Sequence, residues 1–75
     1  MSIHKLKVGV IGLGRMGKRH AINILHKVPR AELICACTPL EVDIAWANVN
    51  LVPHSVQIVS TFEEMIEVPG LEAVI

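Results

Sequence analysis

Apolar positions along this chain switch between unbroken runs and helical spacing, and the switches predict an alternation of strands and helices. Val8 to Ile11 is a β-branched and apolar run broken only by Gly9, as expected of a strand buried on both faces. From Met16 to Val28 the apolar residues Ala21, Ile24, Leu25 and Val28 fall at i, i+3, i+4 and i+7, with Lys18, Arg19, Asn23 and Lys27 opposite them. Pro29 ends this amphipathic helix, because a residue preceding proline avoids the helical region. Glu32 to Cys37 reads as a second buried strand. Thr38 then suits a helix cap, Pro39 the first helical position and Glu41 the capping-box partner. That helix is expected to run to about Asn48 with Leu40, Ile44 and Ala47 on one face. Val56 to Val59 is a third strand, Thr61 and Glu64 form a second capping box, and the short helix they open is expected to end near Pro69 and Gly70. Leu71 to Ile75 begins a fourth strand, within which the chain is expected to be truncated. Strands separated by helices cannot form hairpins, so the order β-α-β-α-β-α-β predicts an α/β fold with a parallel sheet.

The junction of the first strand and helix carries the chemistry. Gly12-Leu13-Gly14-Arg15-Met16-Gly17 supplies G-x-G-x-x-G directly after a strand and directly before a helix. Gly12 lets the strand turn sharply. Gly14, with no Cβ, lets a pyrophosphate approach the backbone, and Gly17 lets the helix lie close against the strand. The N–H groups around Arg15 and Met16, with the helix dipole behind them, then face an anion. The pattern predicts a partial Rossmann unit. It is not a nucleotide-hydrolase phosphate loop, because Lys18 is followed by Arg19 and not by Ser or Thr. A dinucleotide fold usually carries Asp or Glu at the end of the second strand to bond the adenosine ribose. Thr38 stands there, either as the helix cap, as a cofactor contact, or as both. Lacking a carboxylate at that point, the site leans slightly from NAD towards NADP, although no Lys or Arg follows Thr38 to hold a 2′-phosphate and Glu41 is an alternative ribose contact.

Composition narrows the reading. At 75 residues and 52% hydrophobic, with aromatics only 3%, the chain is one small aliphatic domain or part of a larger one. Seven basic and seven acidic residues cancel, which argues against nucleic acid and against an anionic membrane surface. Every acidic residue lies at or after Glu32, leaving the first half positive and favouring an anionic ligand. The apolar run Val8 to Leu13 is too short for a secretory core or a membrane span, so a cytoplasmic location is expected. Cys35 and Cys37 are expected on opposite faces of the second strand, unpaired and reduced. His20 and His26 read as surface residues, and neither His4 nor His54 has a partner at metal-ligand spacing. Trp46 reads as packing or as cover for the adenine side. Arg15 is either a solvated first-turn residue or a phosphate neighbour. No residue is assigned a catalytic role, and no metal is expected.

The stretches KVGVIGLGRMGKRHA, AELICACTP and STFEEMIEVPGLEAVI together resemble the N-terminal segment of the Gfo/Idh/MocA oxidoreductases, which include glucose–fructose oxidoreductase and inositol dehydrogenase. The resemblance runs from Lys5 to Ile75. It implies a nicotinamide cofactor, NAD or NADP, and hydride transfer on a sugar, cyclitol or related polyol. Carried over by position, Gly12, Leu13, Gly14 and Gly17 form the turn, Arg15 and Met16 lie at the pyrophosphate, and Thr38 lies at the adenosine ribose. The family often has Asp where Thr38 stands. Its Glu-Lys-Pro motif, with a catalytic Lys, and the substrate domain that follows are not in this sequence. Residues 1–75 are therefore expected to be the N-terminal part of a dinucleotide-binding domain, without catalytic competence alone and open to self-association through a bare sheet edge. The alternative is a small stand-alone nucleotide-binding or protein-interaction module using that edge.

Overall fold

The computed structural model describes residues 5–75, so His4 lies outside the described residues. Strand β1 is Leu6–Ile11, helix α1 Arg15–Lys27, β2 Ala31–Cys37, α2 Glu41–Asn50, β3 Gln57–Val59, α3 Phe62–Ile66 and β4 Ala73–Val74; a 3-10 turn, Val52–His54, follows α2. The four strands form one parallel sheet in the order β3-β2-β1-β4. The alternation predicted from the apolar pattern is present in full.

Two packed layers follow from this order. Val8, Val10, Leu33 and Ala36 of the sheet meet Ala21 and Ile24 of α1 and Ala47 of α2, with Leu51 and Val56 closing the main core. On the other face Cys35, Cys37 and Val59 meet Met65 of α3 and Val68. The chain steps outward from β1 through β2 to β3, then returns across the sheet to β4. Right-handed connections therefore put α1 and α2 on one face and α3 on the other.

Several expectations are corrected. Helix α2 has no capping box at Thr38: it starts at Glu41 with Leu40 as its N-cap, and no side chain caps it. Thr38 instead prolongs the sheet, its N–H bonded to the Val59 carbonyl at 3.0 Å, and its hydroxyl accepts from the Leu40 N–H at 3.3 Å. The buried face of α2 is Asp43 and Ala47, and Leu40 is exposed. This helix ends at Asn50, close to the expected end near Asn48. Helix α1 stops at Lys27; Val28, at φ −117° and ψ 94°, leaves the helical face and is exposed. Helix α3 ends at Ile66, before Pro69 and Gly70.

The cysteines are also corrected. Side chains two apart along a strand share a face, and both cysteines lie in the cluster beneath α3, as free thiols. They reach that face because the β1–β2 register slips: Val8 pairs with Leu33 but Gly9 with Cys35, leaving Ile34 as an extra residue. Leu33 therefore faces the main core while Cys35 faces away from it.

Candidate dinucleotide site

The ladders between strands continue past the strand ends and align the loops at the carboxyl edge of the sheet. The Gly12 N–H donates to the Cys37 carbonyl at 2.8 Å, and the Ile11 N–H donates to the Ile75 carbonyl at 3.0 Å. Strand order reverses between β1 and β4, and in open α/β sheets ligands bind outside the carboxyl ends at such a switch point. The glycine turn sits there.

Each glycine of the turn has its own geometry. Gly12 has φ +84°, a conformation that L side chains rarely adopt. At Gly17 a Cβ would lie 1.8 Å from the Gly12 carbonyl oxygen, so the first turn of α1 rests directly on the end of β1. Gly14 is the N-cap of α1, with φ −66°, and an added Cβ there would meet nothing within 4 Å. This open approach to the backbone is the cradle that a pyrophosphate requires. Leu13 is buried and anchors the turn from beneath, so it can offer a ligand only its main chain.

The first N–H groups of any helix lack intrahelical acceptors. In α1 no acidic residue occupies the first turn to compensate them. Arg15 and Met16 are exposed there and, with Arg19, line an open cavity of about 410 Å³. A negatively charged group at this helix end would meet backbone donors, the positive end of the helix dipole and nearby guanidinium groups.

Thr38, at the end of β2, is only 1% exposed. Its hydroxyl turns inward to Asp43 Oδ2, 3.4 Å away. The parts of this loop that reach solvent are Pro39 and Leu40. Trp46 is half-buried against the main core. His20, His26 and His54 are exposed, and no metal-holding group of three or more His, Cys, Asp or Glu occurs among the described residues. None of the helices among these residues is long and apolar enough to cross a membrane.

The sequence pattern does not show one buried pair beside the turn. Lys18, placed by that pattern on the polar face of α1, donates from Nζ to the Leu13 carbonyl at 2.8 Å and to Asp43 Oδ1 at 2.5 Å, and lies 5.5 Å from the centre of the Trp46 ring. Asp43 is 5% exposed. The signal for it was available: Asp43 shares a helical face with Ala47 and Leu51, and a carboxylate on a buried stripe needs a cation.

At the far side of the sheet, burial raises the pKa of the Cys35 thiol, with Cys37 adding to the shift. Burial also raises that of Cys37, followed by the negative fields of Glu64 and Glu63. Burial and the raised pKa both disfavour the reactive thiolate of either residue.

A parallel sheet with a glycine turn at its switch point is the architecture of a doubly wound, Rossmann-like α/β fold. Residues 6–75 match the Gfo/Idh/MocA family, described as an oxidoreductase family with an NAD-binding Rossmann fold. The chain belongs to that family. It is 36% identical over 75 residues to scyllo-inositol 2-dehydrogenase (NAD(+)) of Bacillus subtilis strain 168, covering 96% of this chain and 20% of that protein. The crystal structure of apo scyllo-inositol dehydrogenase from Lactobacillus casei superposes with a TM-score of 0.84 at 32% identity, over 99% of this chain and 21% of that one. The same enzyme with bound NAD(H) and scyllo-inositol gives 0.80 at 34% identity, over 93% and 20%. This chain thus spans about a fifth of the length of these relatives.

Proposed function

We propose that the turn from Gly12 to Gly17 holds the pyrophosphate of a nicotinamide dinucleotide. Leu13, Arg15 and Met16 contribute main-chain groups, and Thr38 and its loop border the adenosine ribose. The observation that carries this reading is the combination at the turn: Gly12 in the left-handed region, Gly17 on the Gly12 carbonyl, and open space over Gly14. Bound nicotinamide supplies a hydride donor or acceptor. In a protein of the relatives' length, the substrate is a cyclitol or related polyol, by analogy with the inositol dehydrogenases. The residues of this chain bind and orient the ADP half of the cofactor and carry no catalytic group.

NAD is the cofactor favoured by the named relatives. Discrimination against NADP is weak, because Thr38 brings no carboxylate to reject a 2′-phosphate, and that absence is what leans the residue-level reading to NADP.

Amide NMR titration of the chain with ADP, NADH and NADPH tests the site. Shifts confined to residues 12–17 and to the loop after β2 are expected, with the two reduced cofactors within about tenfold of each other in Kd. Gly14→Ala should fold as the parent does and lose nucleotide binding. Unchanged spectra at saturating ADP would remove the proposal.

A further inference from the structure

We propose that Lys18 and Asp43 form a latch that holds the glycine turn against the loop after β2 and so sets the width of the adenosine end of the cofactor site. The inference rests on the dinucleotide reading above and adds positioning residues to it.

The connections run in one line. Lys18 Nζ is bonded to the Leu13 carbonyl inside the turn and to Asp43 Oδ1. Asp43 Oδ2 accepts from the Thr38 hydroxyl, and that hydroxyl accepts from the Leu40 N–H. Leu13 belongs to one wall of the site and Thr38 and Leu40 to the other. The carboxylate side chain is 7% exposed and that of the lysine 28%, so the pair lies largely out of water. A buried carboxylate is tolerable only when paired and hydrogen-bonded, and both oxygens of Asp43 are engaged. Removing the ammonium group leaves that carboxylate uncompensated and takes a charged donor from the Leu13 carbonyl, so both walls should move. The pairing has a second effect. Lys18 compensates the negative charge that Asp43 places next to Thr38.

Trp46, the single tryptophan, lies beneath the Lys18 ammonium and reports its position. The test uses the full chain without nucleotide and then with ADP. In Lys18→Met, amide shifts and faster amide exchange are expected at Leu13, Gly14, Thr38 and Leu40, together with altered Trp46 emission. ADP should bind roughly tenfold more weakly, the effect of losing a charge-assisted hydrogen bond. Lys18→Arg should restore the affinity. Should Lys18→Met unfold, Lys18→Met/Asp43→Asn leaves no buried charge; it should melt near the parent temperature yet bind ADP as weakly. A Lys18→Met or double-variant chain whose Leu40 and Leu13 amides stay in place, or whose ADP affinity equals that of the parent, overturns the latch alone. A parent chain that binds no ADP overturns the dinucleotide reading and the latch's role in it.

Discussion

Adding a methyl group at Gly17 and at Gly12 probes two different constraints within one turn. At Gly17 the new carbon would lie 1.8 Å from a backbone oxygen, which neither a rotamer change nor a side-chain shift relieves. Gly17→Ala should therefore displace α1 from β1 and abolish cooperative unfolding in urea. At Gly12 nothing obstructs a methyl, and only the φ of +84° opposes it, so Gly12→Ala should cost about 1–2 kcal/mol and leave the fold intact. The buried thiols give a further check: Cys35 and Cys37 should resist alkylation at neutral pH in the native chain and react rapidly once urea unfolds it. At this scale the glycines were legible because their constraint is local. Lys18 and Asp43 were not, because a polarity pattern assigns every charged side chain to water and cannot show that two of them meet across 25 residues of chain. Thr38 was legible as a position but not as an environment: its hydroxyl turns inward to Asp43.

Among the elements, α3 depends most on its end. Five residues are too few to form a stable helix unaided, and the Thr61–Glu64 box predicted from sequence is present. Glu64 Oε1 accepts from the Ser60 N–H and hydroxyl and from the Thr61 N–H and hydroxyl, at 2.9 to 3.2 Å. These bonds, the Ser60 hydroxyl foremost, lower the Glu64 pKa. A carboxyl whose folded pKa is depressed stabilises the fold above its unfolded value, and that contribution is lost as pH falls through the folded pKa. Acidification below the usual carboxylate range should therefore loosen α3 first. In Glu64→Gln the exchange of the α3 amides should be faster at neutral pH and lose this acid dependence. The α2 start was misread for a related reason. Thr38-Pro39-Glu41 satisfies the capping pattern, yet the ladder to Val59 holds Thr38 in the sheet and delays the helix until Glu41. The slip at Ile34 has no sequence signature, since a single extra residue in a wholly apolar strand leaves the pattern unchanged.

For the molecule as a whole, the alternation of periods carried the fold class and the parallel pairing. The pattern could not give the strand order, which depends on α3 crossing to the opposite face. Among the described residues strand β4 lies at one edge of the sheet, away from α3, which packs over β2 and β3. An unpaired parallel edge is a template for further strands. Sedimentation velocity should show association that grows with chain concentration, and a charged residue at Val74 should suppress it.

The register slip beside Gly9 bears on how this segment can mutate. A Cβ at Gly9 would stand 2.7 Å from Cys35 Sγ, 2.9 Å from Met65 Cε and 3.1 Å from Leu71 Cδ1. Gly9→Ala alone should cost about 1–3 kcal/mol by overpacking. Combined with Met65→Val it should cost less than the two changes summed. Epistasis of this kind ties positions from opposite ends of the chain into one heritable unit, in which a larger residue under α3 becomes admissible only after a neighbour has shrunk.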